Sequence, residues 1–223
     1  MKLMPFTEAL EFFRKKAVLT GPEFEALAAE LSDYAKAQAF TIAHVASADL
    51  LQDLYEEVCR AIEEGRTFWD FREGIDEIMA RRGWAGLAPY RLDNIFRTNI
   101  QTAYSVGRYH QMTAIADRRP YWEYDAVNDS RTRPTHLAHD GKVYHHTHPF
   151  WDTWYPNNGY RCRCRVNSIS EKEMKEEGLK EETRGTDLKP DEGFRANPAK
   201  EPWRPDLSKY PRELRTLLGK DIE

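Results

Sequence analysis

In the first half of the chain, apolar residues recur every three or four positions, the period of a helix with one face against a core. Phe6, Ala9, Leu10 and Phe13 form the first such stripe, which runs out at Lys15 and Lys16. Thr20-Gly21-Pro22 interrupts it. A proline there suits the first turn of a second helix, carrying Phe24, Leu27, Leu31, Tyr34 and Ala35. Ser47 stands before Ala48-Asp49-Leu50 as a helix cap would, and Gly65 follows Glu64 as a C-terminal cap. Thr67 opens a further helix that ends at Gly83. From Leu92 to Ala116 one long helix is expected, with Ile95, Thr98, Ala103, Val106, Tyr109 and Met112 near one side.

After Arg118-Arg119-Pro120 the texture changes. Tyr121 to Val127 is aromatic and strand-prone, and the next stretch is dense in turn signals: Asn128-Asp129, Asp140-Gly141, Pro149, Pro156 and Asn158-Gly159. Lys142–Tyr144 and Arg161–Val166 read as short strands. Trp122, Phe150, Trp151, Trp154 and Tyr155 are most simply the core of this module. From Ser170 the chain turns polar, beginning with a short helix in SEKEMKEEGL. Residues 180–206, with four prolines and two glycines, suit an extended arm, laid across another surface or partly disordered, and not a domain. PRELRTLLGK could form a last short helix. The expected fold class is therefore α+β: a helical region over 1–116, a small loop-rich β-containing module over 117–168, and an extended tail over 169–223.

Composition agrees with a folded protein, 40% hydrophobic and 12% aromatic. Mean hydropathy is -0.77, no apolar run approaches the ~20 residues of a membrane span, and MKLMPFTEALEFF lacks the apolar core of a secretory signal. An intracellular protein with no membrane partner is expected. The net charge of -4 argues against a surface that is basic throughout, as a dedicated nucleic-acid binder would have. The charge is unevenly spread, however. Eight Lys/Arg face five Asp/Glu between Arg118 and Arg165, a local +3, which leaves -7 for the remainder.

Chemistry-bearing residues concentrate in the module. Of seven histidines, six fall between His110 and His148, and Cys162 and Cys164 follow. Three cysteines, an odd number, do not suggest a secreted disulfide framework, and Cys59, alone in a helical pattern, reads as a small buried hydrophobe. Zinc takes thiolates and imidazoles in a closed tetrahedron when its role is structural, and a loop-rich module short of apolar area gains from such a staple. The candidate ligands are His136, Cys162 and Cys164, with a fourth from His139 or from His145, His146 and His148. The competing reading is a pair of buried core cysteines and a solvated histidine run. A Cys–His–Asp140 triad or a zinc hydrolase has the ingredients for catalysis, but no H-E-x-x-H, no deaminase motif and no phosphate loop accompanies them; an enzyme is not expected. Arg161, Arg163 and Arg165 would share one strand face opposite the thiols. With Arg118, Arg119, Arg131 and Arg133 they could meet a phosphate backbone, a partner's acidic surface, or only solvent.

SRTRPTHLAHDGKVY followed by HPFWDTWYPNNGYRCRCRV resembles the C-terminal signature of the phage Mu F-like head morphogenesis family. RTNIQTAYSVGRYHQ is similar to the helix that precedes it, and FTEALEFFRKK, AFTIAHVASADLLQDLYEEV and DEGFRANPAKEPWRPDL are similar to the Mu-type members. The resemblance implies a structural minor head protein that works beside the portal protein, scaffold and coat proteins during assembly in the host cytoplasm. It would remain in the virion head interior near packaged DNA. A prophage copy would look the same. On the family pattern His136, Cys162 and Cys164 match positions suspected of holding metal, zinc being the expected ion, whereas a histidine often found shortly before the Cys-x-Cys is missing from Pro156–Arg161. The rival expectations are a DNA-binding internal head protein and a metal-dependent nuclease or hydrolase.

Overall fold

The computed structural model describes residues 7–28, 36–37, 39–42, 45, 47–84 and 86–200. Phe6, Leu31, Tyr34, Ala35 and the expected helix over 211–220 lie outside the described residues, as do the side chains of Phe24 and Leu27. The architecture is α+β. Helices α1 (Thr7–Arg14), α2 (Gly21–Ala28), α3 (Ala48–Glu64), α4 (Phe68–Arg81) and α5 (Pro89–Ala114) come first. Two parallel two-residue strands, β1 (Ala17–Val18) and β2 (Ala39–Phe40), are interleaved with them. These strands are too short to leave any alternation in the sequence.

The helix ends follow from local chemistry. Ser47 Oγ accepts the Leu50 N–H at 3.3 Å, and Gly65 turns left-handed (φ 65°) with its N–H on the Ala61 carbonyl. Thr67 and Asp70 exchange side-chain and backbone hydrogen bonds in a capping box that starts α4. The long helix begins at Pro89, three residues before the expected Leu92, because a proline in the first turn has no N–H to leave unsatisfied.

The helices close over one core that includes Phe13, Phe40, Leu50, Leu54, Val58, Phe71 and Ile75. Cys59 packs against this core but is only half-buried, so the expectation of a buried thiol is met in part. Glu57 is a charged intruder, 1% exposed and held by Arg60 (2.8 Å) and Arg66 (2.7 Å). Its carboxylate lies directly over Gly74 of α4, where an added Cβ would come within 2.4 Å of Oε1.

The second core belongs to a three-stranded antiparallel sheet, with β3 (Tyr121–Asp125) between β4 (Val143–His145) and β5 (Arg165–Ile169). Along β3 burial alternates, sending Trp122 and Tyr124 inward. They meet Phe150 and Trp151 of the short helix α7 (Phe150–Thr153), together with Trp154 and Tyr155 just beyond it. The aromatic cluster is thus the module's own core, as expected. The spine is α5: Leu92 and Ala103 enter the first core, and Met112 enters the second with Tyr109 packed beside it.

The expected strand over Arg161–Val166 is corrected. It starts only at Arg165, because Arg161 adopts a left-handed φ of 59° and the Cys162 N–H turns back onto the Gly159 carbonyl at 3.1 Å. Arg161, Arg163 and Arg165 therefore share no strand face. Among the described residues no strand pairs with the outer edge of β5. Instead, side chains reach the carbonyls of residues 164, 166 and 168: Gln101 Nε2 at 3.5 Å, Arg108 Nε at 2.9 Å and Arg119 Nε at 3.2 Å. Backbone acceptors that a fourth strand would have satisfied are met this way.

Beyond the capped helix α8 (Glu171–Glu176) the tail runs extended across the module itself as far as residue 200, and residues 201–206 of the expected arm lie outside the described residues. Glu181 bridges to Val143 on the β4 edge, Trp154 Nε1 donates to the Leu188 carbonyl at 3.1 Å, and the Asp191 N–H donates to the Asn158 carbonyl at 3.1 Å.

The Glu57–Gly74 contact makes a prediction against helix propensity. Gly→Ala in a helix interior ordinarily stabilises by up to about 1 kcal/mol. Here Gly74→Ala should destabilise by about 1–3 kcal/mol through overpacking against a carboxylate that two arginines hold in place. Chemical denaturation measures it, and a stabilised variant would show that the carboxylate moves aside freely.

Candidate metal centre

His136 sits on a single helical turn, α6 (Pro134–Leu137), whose N–H groups donate back to the Arg133 and Pro134 carbonyls. Its Nδ1 lies 3.4 Å from Cys164 Sγ and 3.8 Å from Cys162 Sγ. All three donor atoms fall within 4.8 Å of one another, and all three residues are buried. In a tetrahedral zinc site with Zn–S near 2.3 Å and Zn–N near 2.0–2.1 Å, a nitrogen and a sulfur stand about 3.6 Å apart. The observed separations bracket that edge length, so these three donors fit three corners of the tetrahedron in type and spacing, and among the described residues no fourth donor joins them.

The electrostatics point the same way. Cys162 is drawn down to about 7, chiefly by the hydrogen bond from Cys164, against the upward pull of burial. Cys164 is pushed up by the same pairing and by burial. One thiolate is thus favoured in the pair before any ion arrives, and thiolate is the form that binds metal. Around the cluster the packing is rigid. The Tyr124 hydroxyl donates to Asn158 Oδ1 at 3.0 Å. Asn158 in turn donates to the Thr153 and Tyr155 carbonyls, both at 3.3 Å. Gly159 is free of a side chain because the Arg133–Asp191 ion pair (2.8 Å) lies over it, where a Cβ would come within 2.3 Å of Asp191 Oδ2.

His139 is placed differently. Its ring packs edge-on against Trp154 and Phe150, with centroids 4.3 and 5.1 Å away, and it is not part of the three-residue group. Both of its nitrogens are buried without a hydrogen-bond partner, as is His136 Nε2. Burial drives His139 down to about 4. The His145–His148 run also stands apart, shaping the turn after β4: His145 Nδ1 pairs with Thr147 Oγ1 at 2.8 Å, and His148 Nδ1 accepts the Phe150 N–H at 3.0 Å.

Each of the seven singled-out arginines has a carboxylate within 4.0 Å. Arg163 makes a two-pronged bond to Asp129 (2.6 and 2.7 Å), which Arg131 approaches at 3.5 Å. Arg165 pairs with Asp125, Arg161 with Asp93 on α5, Arg133 with Asp191 and Arg119 with Glu173. Arg118 lies 4.0 Å from Asp117. The local excess of positive charge is thus largely spent on holding loops together. Sequence reasoning did not single out Asp129, Asn158 and Tyr124. The first two look like ordinary turn residues, and only their partners reveal that they brace the cysteine loop.

The model of the family described as "Phage Mu protein F like protein" matches residues 52–167, just over half of the chain. The putative capsid assembly protein F of Escherichia phage Mu is 39% identical over 193 residues, 79% of this chain and 43% of that protein. The chain belongs to the phage Mu protein F-like family. A second relative, the Mu-like prophage FluMu F protein of Haemophilus influenzae, is also 39% identical, over 68% of this chain and 39% of its own length. This Mu F-like chain therefore spans about two fifths of the curated relatives it matches. No solved structure matches it. The match to the family model takes in the metal-ligand candidates and the whole three-stranded sheet except its last two residues.

Two measurements test the site. Elemental analysis should find one zinc per Mu F-like chain, lost in His136→Ala and in Cys162→Ser/Cys164→Ser but retained in His139→Phe; a metal-free wild type removes the staple. In chelator-treated protein, a histidine with a depressed folded pKa favours the folded state above about 6.5, and that contribution declines as pH falls toward about 4, because only the unfolded chain takes up the proton readily. Urea midpoints should fall across that interval in the wild type and fall less in His139→Phe.

Proposed function

We propose that this chain is a structural component of a phage head, acting in its assembly rather than as an enzyme. The observation that carries the reading is the 39% identity to a putative capsid assembly protein over 79% of the chain. In this reading it is a minor head protein that works beside portal, scaffold and coat subunits in the host cytoplasm and stays in the head interior. The 1–116 helical region and the 169–223 tail present surface to those partners. The 117–168 module is a rigid unit, with zinc held by His136, Cys162 and Cys164 tying α6 to the loop before β5. The supporting geometry is a buried cluster of three zinc-type donors with aromatic side chains packed around it. Among the described residues no helix is long and apolar enough to cross a membrane.

The internal arginine pairing also bears on DNA. A guanidinium already bonded to a carboxylate releases few counterions on meeting phosphate, so duplex binding should be weak. The test is genetic and biochemical. Removing the gene from its phage should abolish finished heads, complementation should restore them, and the tagged protein should co-purify with portal protein. Normal heads without the protein would overturn the proposal. Duplex binding with a steep salt dependence, lost when Arg161, Arg163 and Arg165 are neutralised, would favour a DNA-binding role instead.

A further inference from the structure

A cavity of about 530 Å³ that neither Cys162 nor Cys164 lines lies where residues 36–37 and 39–42, α5, Asn157, Tyr160 and the tail between 192 and 198 come together. Three polar atoms on residues of its wall are buried without a hydrogen-bond partner: Thr41 Oγ1, Thr98 Oγ1 and Asn157 Oδ1. Asn157 is 5% exposed, and its amide nitrogen is already committed to Thr102 Oγ1 at 3.4 Å, which leaves the oxygen calling for a donor. Lys16, also on the wall, is 8% exposed. Its Nζ donates to the Ala37 carbonyl at 2.6 Å and lies 5.4 and 5.7 Å from the ring centroids of Phe12 and Phe13. No carboxylate lies within ion-pair reach of it among the described residues. Burial lowers its pKa to about 8.

An ammonium buried with no carboxylate in reach among the described residues and a buried amide oxygen without a donor are both costly to keep, and a well-packed protein rarely keeps them idle. One carboxylate, Glu192, stands among the described residues of the wall. Ile42, Ile95 and Phe194 contribute apolar surface. The wall therefore asks for an anion, an N–H donor and an apolar body together. Inorganic phosphate offers only the first, and a hydrocarbon chain only the last. A peptide offers all three when an acidic side chain stands next to an apolar one, because its main chain brings the N–H.

We propose that this cavity receives an acidic, apolar peptide segment of a partner protein, its carboxylate on Lys16 and a main-chain N–H on Asn157 Oδ1. The nature of the partner, another head protein, rests on the assembly reading; the chemistry of the segment does not.

The full chain can be titrated calorimetrically with acetyl-Leu-Glu-Leu amide, with its Gln counterpart, and with inorganic phosphate. The Glu peptide should bind saturably and at least about tenfold more tightly than the Gln peptide. Lys16→Met, close in volume, should erase that preference while leaving the melting temperature unchanged or raised. Absence of saturable binding, equal affinity for the two peptides, or displacement by phosphate would overturn the proposal. So would a fall of more than about 5 °C in the melting temperature of Lys16→Met, since the lysine would then be a structural prop for the Ala37 carbonyl. Head formation separates this inference from the reading beneath it. Heads that form without the protein sink the assembly role itself, whereas heads that need the protein yet form normally with Lys16→Met, together with absent peptide binding, sink the cavity alone.

Discussion

A sheet of three short strands cannot satisfy its own edges, and much of the module's construction answers that shortage. Each outer strand would leave a row of main-chain groups facing water or, worse, facing another chain. On β4 the shortage is met by the tail, which lays Glu181 and Glu182 along Val143. On β5 it is met by Gln101 and Arg108 from the long helix and by Arg119 from the loop after it. The sheet is thus closed by a helix on one side and an arm on the other, and neither helix nor arm can leave without exposing it. The aromatic core under β3 depends on this closure, because Trp122 and Tyr124 stay dry only while the sheet above them holds its register.

The same economy governs the cysteine loop. A run of alternating Arg and Cys in an exposed segment would be floppy and strongly charged. Here every guanidinium is drawn to a different carboxylate, on α5, on the turn at Asp129, or on β3. These exposed pairs are each worth little by themselves. Their value is positional, because three fixed arginines leave the two thiols between them little choice but to face inward toward His136.

Much of the helical half can be read from the chain because its signals are local. The caps at Ser47, Gly65 and Thr67 stand where the spacing of apolar residues puts them, since each depends on atoms within a turn. The aromatic core and the meeting of His136 with both cysteines were also legible, the latter from residue type. What escaped were features set by partners far away in sequence. The left-handed Arg161 delays β5, and nothing nearby announces it. His139 has the right chemistry for a ligand and the right spacing from His136, but the bulk of Trp154 and Phe150 claims its ring. Cys59 lies on a helical stripe yet is only half-covered, because such a stripe marks a direction and not a depth.

The long helix has a mechanical implication. It runs for 26 residues, about 39 Å at 1.5 Å per residue, with no proline past its first turn and a foot in each of the two cores. Torque applied near the exposed Tyr90 at one end therefore travels to the sheet's core along one continuous helix, whose softest point between the two cores is Gly107.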